Sequence, residues 1–321
     1  MEEMRPLHTV GGFDISSMKI MGIPAFEMEN VSKTYHMWRM LRRIPVAGIR
    51  DVSLSIPKGV IFGLLGLNGA GKTTAMKLLV GLLRPDSGRV RVMGGSVSDP
   101  ATRGRMGFLP EMPYLPQMLT ARELLLHYGR LSGLSGRHLA NRVDGALEKA
   151  GIAERSGDPI RFFSKGMLQR AAMAQVLLHG PEAVLVDEPM SGLDPKGISE
   201  MRAILEGLRR EGVTVCLNSH QISEVERICD RVGIMAGGRL VREGAVGELL
   251  ALARSRRYRI IMLVRPNRAK TGWKMGEREA GEAELAGILS AERRRGAKIL
   301  QILAIQGSLE EVVLETIRDA S

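Results

Sequence analysis

A short glycine-rich segment, GLNGAGKTT at residues 66–74, constrains the fold of this chain more than any other feature. It follows the apolar run GVIFGLLG (59–66), which is typical of a strand buried on both faces. It leads into KTTAMKLLVGLL (72–83), where apolar residues recur at helical spacing. A loop with two glycines five residues apart, followed by Lys-Thr, cradles phosphates when it joins a strand to a helix. The segment therefore predicts an α/β domain that binds a nucleotide.

Each residue type in this loop suits a triphosphate. The glycines allow backbone N–H groups to turn inward around phosphate oxygens, and the following helix adds a favourable dipole. We expect Lys72 to reach the β- and γ-phosphates and the Thr73 hydroxyl to ligate Mg²⁺. A chance glycine turn is the alternative, but the neighbouring strand and helix favour nucleotide binding. The loop residues expected at the nucleotide are Gly66, Leu67, Asn68, Gly69, Ala70, Gly71, Lys72, Thr73 and Thr74.

Two adjacent carboxylates and a histidine follow two further apolar strands. The segment AVLVDEP (183–189) carries Asp187 and Glu188 directly after four apolar residues. We expect Asp187 to serve the metal and Glu188 to act as general base toward the attacking water, although such a pair can also simply begin a loop. His220 ends VTVCLNSH (213–220), at the edge where parallel strands place ligand chemistry. A γ-phosphate contact is favoured there over a surface histidine.

The remaining patterns predict how the domain is organised. FEMENVSKTY (26–35) alternates apolar and polar residues like an edge strand, and IRDVSLSI (49–56) alternates again, so an antiparallel sheet is expected. Residues from about 119 to 180 are predicted to be mainly helical. DRVGIMAGGRLVREG (230–244) is typical of two closing strands joined by a Gly-Gly turn. The fold class is therefore an α/β phosphate-loop NTPase core with a mostly parallel sheet, an antiparallel β subdomain and a helical subdomain at about 112–180.

The chain ends are predicted to differ from this core. Residues 1–24 have no clear periodicity and are expected to be a disordered leader. The main domain is expected to span 25–250. Residues 251–321 predict a small accessory α/β domain. Its elements in chain order are the strand RIIMLV, a polar loop, a helix, a second strand and a last helix, SLEEVVLETI.

Composition narrows the function classes. No segment reaches the roughly 18 consecutive apolar residues of a membrane span. Aromatic residues make up 4% of the chain, which provides no stacking platform for single-stranded nucleic acid. The net charge of +11 fits nucleic acid, an anionic membrane surface or another polyanion, but solvated faces of a basic protein are the favoured interpretation. Cys216 and Cys229 show no metal-ligand spacing and no disulfide framework.

Several motifs in order carry a family resemblance over about residues 25–250. The phosphate loop, a helical insert, FSKGM (163–167), LVDEPMSGLDP (185–195) and NSH (218–220) resemble the nucleotide-binding subunit of ATP-binding cassette (ABC) transporters. The resemblance implies that Tyr35 stacks on adenine, although a strand aromatic packed on the sheet is the alternative. It also implies the roles given above for the two acids and His220, and a subunit-communicating loop at 191–194.

Two positions depart from the family pattern. Glu111 stands where the family usually has glutamine, and we expect this carboxylate to contact Mg²⁺ or its water without donating from an amide. The segment FSKGM (163–167) has Lys165 between Ser164 and Gly166. This variant resembles a subgroup of the family that is associated with export. By the resemblance, Ser164 and Gly166 face the γ-phosphate bound by a second cassette.

The resemblance implies a specific cellular role. The expected cofactors are ATP and Mg²⁺. The expected partners are a second cassette, as a homodimer, and a separate membrane-spanning subunit that engages 112–128, while no nucleic acid is expected. The chain would then hydrolyse ATP at the cytoplasmic face of the membrane to power transport, with export favoured. One alternative is a soluble cassette ATPase that acts on ribosomes or nucleic acid. The other is a regulator that binds nucleotide without hydrolysing it, and the intact Lys72, Asp187, Glu188 and His220 disfavour this second alternative.

Overall fold

The computed structural model describes residues 22–39, 42–254, 257–264, 273–304 and 307–320. The leader expected at 1–24 lies almost entirely outside these residues. The strands are β1 (Phe26–Arg39), β2 (Arg42–Ile56), β3 (Ile61–Leu65), β4 (Ser87–Val92), β5 (Gly95–Ser96), β6 (Met106–Leu109), β7 (Ala183–Asp187), β8 (Thr214–Asn218), β9 (Arg231–Ala236), β10 (Arg239–Ala245), β11 (Arg257–Val264), β12 (Lys274–Gly281) and β13 (Lys298–Ala304). The α-helices are α1 (Lys72–Val80), α2 (Pro100–Arg103), α3 (Ala121–Leu131), α4 (Gly136–Lys149), α5 (Lys165–Leu177), α6 (Pro195–Arg210), α7 (Ile222–Ile228), α8 (Val246–Arg254), α9 (Glu282–Arg294) and α10 (Leu309–Asp319).

The central sheet has the strand order β10-β9-β3-β8-β7-β6. The strands from β9 to β6 run parallel to their neighbours, and only β10 pairs antiparallel, with β9. Every residue of β3, β7 and β8 is buried, as continuous apolar runs require in a sheet covered on both faces. Because parallel strands end at the same edge, Asp187 lies in register with Asn218 there. The predicted α/β fold class is confirmed.

A second sheet, in the order β2-β1-β4-β5, is antiparallel. The expectation that β1 is an edge strand is wrong, because β1 pairs with β4 as well as with β2 between Phe26 and Ser32. Its alternation arises instead from one apolar face, which buries Phe26 and Met28 in the core between the two large sheets. The arginine-containing residues 36–39 and 42–47 lie in β1 and β2, and next to them Tyr35 of β1 pairs with Val46 of β2.

The helical segment contains α3, α4 and α5 as expected, and short 3₁₀ turns at Ala153–Arg155 and Ile160–Phe162 lie between α4 and α5. A capping box begins α3: the Thr120 hydroxyl accepts from the Glu123 backbone N–H and the Glu123 carboxylate accepts in return. These helices share one large core with the central sheet and α6. The Gly-Gly turn between β9 and β10 is also confirmed, since Gly237 and Gly238 both have positive φ, at 55° and 79°.

The C-terminal segment differs from expectation in two ways. β12 forms the last part of the segment that the sequence predicts as a polar loop before α9, while residues 265–272 of that segment lie outside the described residues. It completes an antiparallel sheet in the order β12-β11-β13. Its sequence, KMGEREAG, lacks the alternation that predicts a strand. It forms a strand by pairing with β11, and an Arg259–Glu279 ion pair at 3.3 Å links the two strands. The second difference is the last helix, α10, which the sequence assigns to the accessory unit. It instead buries Leu309, Val312 and Val313 in the large core beside α7 and α8.

Candidate active site

One cavity of about 560 Å³ opens at the edge where β3, β7 and β8 end. This volume is in the range of sites that bind small organic ligands. Most residues predicted for the site meet there, and they come from the phosphate loop, from the segments at the ends of β6, β7 and β8, and from the β1–β2 hairpin. The lining residues are Tyr35, Ala47, Gly48, Asn68, Gly69, Ala70, Gly71, Lys72, Thr73, Thr74, Glu111, Asp187, Glu188, Asn218 and His220.

The phosphate loop is shaped by close backbone contacts. Gly71 precedes α1 with φ of 101°, a left-handed conformation that residues with a side chain rarely adopt. A Cβ on Gly71 would also lie 2.5 Å from the Gly48 carbonyl oxygen. No side chain caps α1 at this residue. The first N–H groups of the helix therefore remain available to an anion in the cavity.

Lys72 is held against the loop that precedes it. Its ammonium donates to the carbonyl oxygens of Gly66 at 2.7 Å and Leu67 at 3.2 Å. These two residues, predicted at the nucleotide, do not line the cavity and act in the structure as the acceptors that hold Lys72. Burial lowers the pKa of Lys72, and the charges of Glu188 and Asp187 partly oppose that shift. A buried cation between loop and acids is suited to bind phosphate oxygens.

Asp187 occupies the last position of β7 and is buried. Burial raises the pKa of its carboxyl, while a hydrogen bond from Asn218 counteracts the shift. In that bond the Asn218 Nδ2 donates to Asp187 Oδ1 at 2.6 Å. The opposing influences leave a desolvated carboxylate supported by one amide donor, an arrangement suited to a cation ligand.

Glu188 leaves the strand in an unusual backbone conformation. Its φ is 49°, in the left-handed region that non-glycine residues seldom occupy. The conformation is held by the Glu188 backbone N–H, which donates to the Asn218 carbonyl oxygen at 2.9 Å. The Glu188 side chain is 11% exposed, and its buried Oε2 lies 2.8 Å from His220 Nδ1, although the angles are not those of a hydrogen bond. The base and the histidine predicted from sequence are thus in contact, and strain at a site residue is a common mark of function.

The oxygen donors in the cavity fit a magnesium ion. Thr73 supplies a hydroxyl, and Asp187 and Glu111 supply carboxylates, all from residues that line the same cavity. Hard cations such as Mg²⁺ prefer oxygen ligands. The residues predicted for the metal are therefore brought together and are chemically suitable.

Tyr35 enters the cavity from the hairpin. Its hydroxyl lies 3.3 Å from the Thr74 hydroxyl, and its ring packs against Gly48, where a Cβ would lie 2.6 Å from Tyr35 Cε2. Sequence reasoning missed Ala47, Gly48 and Asn218. For Gly48 and Asn218 the signal is spatial, because each acts on a side chain supplied by a distant part of the chain.

Ser164 and Gly166 do not line this cavity. Ser164 caps α5, and its hydroxyl accepts from the Met167 backbone N–H at 3.3 Å. A Cβ on Gly166 would meet nothing closer than 3.9 Å, so no contact within the described chain requires glycine there. The Lys165 side chain lies over Gly192 of the 191–194 loop, where a Cβ would come 2.4 Å from the Lys165 ammonium. Lys165 therefore links the helix start to that loop.

The fold and the site together define a phosphate-loop nucleotide-binding domain with its acids and histidine at one sheet edge. A sequence model of the ABC transporter family matches residues 49–191. The chain is 38% identical over 224 residues to the bacitracin transport ATP-binding protein BcrA of Bacillus licheniformis, an alignment that covers 69% of this chain and 72% of BcrA. The chain belongs to the ABC transporter family of ATP-binding proteins.

Other similarities agree with this family. An uncharacterised ABC transporter ATP-binding protein of Synechocystis is 40% identical over 226 residues, which are 70% of this chain and 64% of that protein. The chain thus spans less than two thirds of that relative's length. Among solved structures, the ATP-binding cassette MJ0796, a dimer bound to ADP and Pi, is 25% identical with a TM-score of 0.61, over 69% of this chain and 98% of that chain.

Proposed function

We propose that this chain binds and hydrolyses ATP to power a separate membrane-spanning subunit of an ABC transporter. The observation that carries the proposal is the single cavity in which the phosphate loop, Asp187, Glu188 and His220 converge. A cassette that acts on ribosomes or nucleic acid is supported by no specific contact in the described residues. The cavity supports ATP hydrolysis, and family membership favours the transporter role.

The chemistry follows from the residues around the cavity. The backbone N–H groups of the loop and the Lys72 ammonium bind the β- and γ-phosphates. Thr73, Asp187 and Glu111 would hold Mg²⁺, which neutralises charge on the phosphates when it is bound. Glu188 accepts the proton of the attacking water, and His220, in contact with that carboxylate, orients toward the γ-phosphate. The Tyr35 ring provides a surface for adenine.

A second copy of the chain would complete the site. Ser164 and Gly166 lie at the start of α5 but outside the cavity, and no contact among the described residues requires a glycine at position 166. A hydroxyl and an uncovered backbone N–H at a helix start suit an anion brought by another molecule. The 191–194 loop, which Lys165 contacts, would lie at the same interface. We infer a homodimer that encloses two ATP molecules.

An apolar surface on the helical side is proposed as the docking site of the membrane-spanning partner. Met112, Tyr114 and Met118 are 84%, 92% and 75% exposed, and they follow Glu111, which lines the cavity. Clustered exposed apolar side chains mark interaction sites. Within the described residues, no helix is both long enough and apolar enough to cross a membrane. A peripheral position on the cytoplasmic face follows from the proposal, and export is the direction of transport that we propose.

The Glu188→Gln variant tests the proposal. ATP turnover by the purified chain should fall by about 100-fold or more, because the general base is lost while the size of the side chain is retained. ATP-bound dimers should accumulate and be visible by size-exclusion chromatography with light scattering. The matched control is Glu206→Gln on α6, which is remote from the cavity lining and should leave turnover unchanged. Undiminished turnover in Glu188→Gln would contradict the assignment of the base, and a wild-type chain that binds no ATP would overturn the proposal.

A further inference from the structure

Asn218 ends β8 and contacts both adjacent acids of the site, two contacts that the NSH motif (218–220) does not itself predict. Its side-chain Nδ2 donates to Asp187 Oδ1 at 2.6 Å, and its backbone carbonyl accepts from the Glu188 N–H at 2.9 Å. The residue is 2% exposed and yet lines the cavity. A single residue of β8 therefore supports the two carboxylates that end β7.

The orientation of the Asn218 amide follows from its surroundings. With Nδ2 toward Asp187, the amide donates to a carboxylate, which is an acceptor when ionised. The reverse orientation would place two oxygens against each other at that distance. The Asn218 Oδ1 is consequently left buried and without a hydrogen-bond partner in the described part of the chain. Buried polar atoms are almost always satisfied, so an unpaired acceptor at a cavity wall indicates a ligand or a ligand-bound water.

We propose that Asn218 is a positioning residue of the metal site, an inference that rests on the proposed function. The Nδ2–H fixes the Asp187 carboxylate in the orientation that receives the cation, and Oδ1 accepts a hydrogen bond from a water molecule in the hydration shell of the cation. Mg²⁺ retains several waters when proteins bind it, so such acceptors are needed around it. Groups that orient a metal ligand commonly change metal affinity by about 10- to 100-fold when they are removed.

Substitution of the side chain isolates this role. Asn218→Leu keeps a similar volume at a buried position but removes the amide, and Asn218→Ser removes it with a smaller side chain in case leucine prevents folding. Both variants retain the backbone carbonyl that binds Glu188. The matched control is Thr214→Val, also on β8 and fully buried, whose hydroxyl accepts from the Gly59 N–H at 2.9 Å and which does not line the cavity.

The measurement is metal binding without turnover. Mn²⁺ affinity is determined by electron paramagnetic resonance in the presence of the non-hydrolysable analogue AMPPNP, and AMPPNP affinity is determined separately in EDTA. We expect both Asn218 variants to bind Mn²⁺ at least about 10-fold more weakly, with metal-free AMPPNP binding unchanged and with Thr214→Val equal to wild type in both. Wild-type Mn²⁺ affinity in the variants, or an equal loss with and without metal, would overturn the inference. Failure of the wild-type chain to bind AMPPNP would instead overturn the proposed function.

Discussion

The position of the Tyr35 ring depends on Gly48, which has no side chain. A Cβ on Gly48 would lie 2.6 Å from Tyr35 Cε2 and 3.0 Å from Thr74 Cγ2, closer than ordinary packing allows. The Gly48 carbonyl oxygen also lies at the position that a Cβ on Gly71 would approach. Gly48 thus allows the hairpin, the ring and the phosphate loop to approach one another closely.

The variant Gly48→Ala should displace the Tyr35 ring and weaken binding of the base. Because aromatic stacking contributes about 0.5–1.5 kcal/mol, we expect ATP affinity to fall by up to about tenfold. Affinity for inorganic tripolyphosphate, which has no base, should not change. Isothermal titration calorimetry with both ligands checks this. The control Gly207→Ala on α6, where a Cβ would meet nothing within 4 Å, should leave both affinities as they are. Equal losses for both ligands would mean that the substitution disturbs the phosphate loop instead.

At the residue scale, sequence reasoning identifies chemistry that local pattern encodes. The phosphate loop, Asp187, Glu188 and His220 each follow an apolar strand, and parallel strands end at one edge, so their convergence in the cavity could be predicted. Gly48 could not be found in this way, and for Asn218, which ends β8 at the same edge, the position was predictable but the contact with Asp187 was not. Their roles consist of contacts with Tyr35 and Asp187, which lie 13 and 31 positions away in the chain. Only the pairing of strands creates those contacts.

At the element scale, the start of α5 has two separable properties. The Ser164 hydroxyl satisfies a backbone N–H of the helix, and the same helix start is proposed to meet an anion of the partner copy. Aspartate caps helices as well as serine does, but it adds a negative charge. A Ser164→Asp variant therefore preserves the helix cap and opposes the contact with an anion of the partner copy.

We expect the free energy of unfolding of Ser164→Asp to lie within a few tenths of a kcal/mol of the wild-type value. In a Glu188→Gln background, however, this variant should form no ATP-dependent dimer. Ser164→Ala should lose about 1 kcal/mol of stability. Urea denaturation gives the stabilities, and analytical ultracentrifugation with ATP gives the dimer fraction. Ser308→Asp is the control, because Ser308 caps α10 in the same way, and it should dimerise normally. Normal dimerisation of Ser164→Asp would show that the helix start does not meet the nucleotide.

Elements differ in how far their own sequences specify them. The helices α3, α4 and α5 and the strands β3, β7 and β8 carry clear periodicity or continuous burial, and they form where the sequence predicts. β12 carries neither signal and exists because β11 pairs with it. The placement of α10 was likewise not predictable, since its amphipathic pattern specifies a buried face but not which core receives it. The Leu309 N–H, which donates to Glu226 at 2.8 Å, helps to fix that choice.

At the scale of the whole molecule, the nucleotide cavity and the exposed apolar side chains proposed to bind the partner are adjacent in the chain. Glu111 lines the cavity, and the apolar side chains of Met112 and Tyr114 follow it on the surface. A partner bound at those side chains would touch the segment that reaches the cavity. This proximity offers a physical route by which events at the nucleotide could reach a membrane-spanning subunit, and it can be tested without knowledge of the cargo.

The double variant Met112→Ser with Tyr114→Ser should separate partner binding from nucleotide binding. Both side chains are almost fully exposed, so the stability of the chain and its ATP affinity should change little. Binding to membranes that contain the partner should weaken by roughly tenfold or more, since central apolar anchors of an interface each contribute more than about 1 kcal/mol. Flotation of the purified chain with membranes from the producing cells measures this. The control Leu82→Ser removes another exposed apolar side chain, 61% accessible and remote from Glu111 in the chain, and should not affect flotation. If the double variant floats with membranes as wild type does, the partner docks elsewhere, and the proximity of this surface to the cavity has no role in coupling.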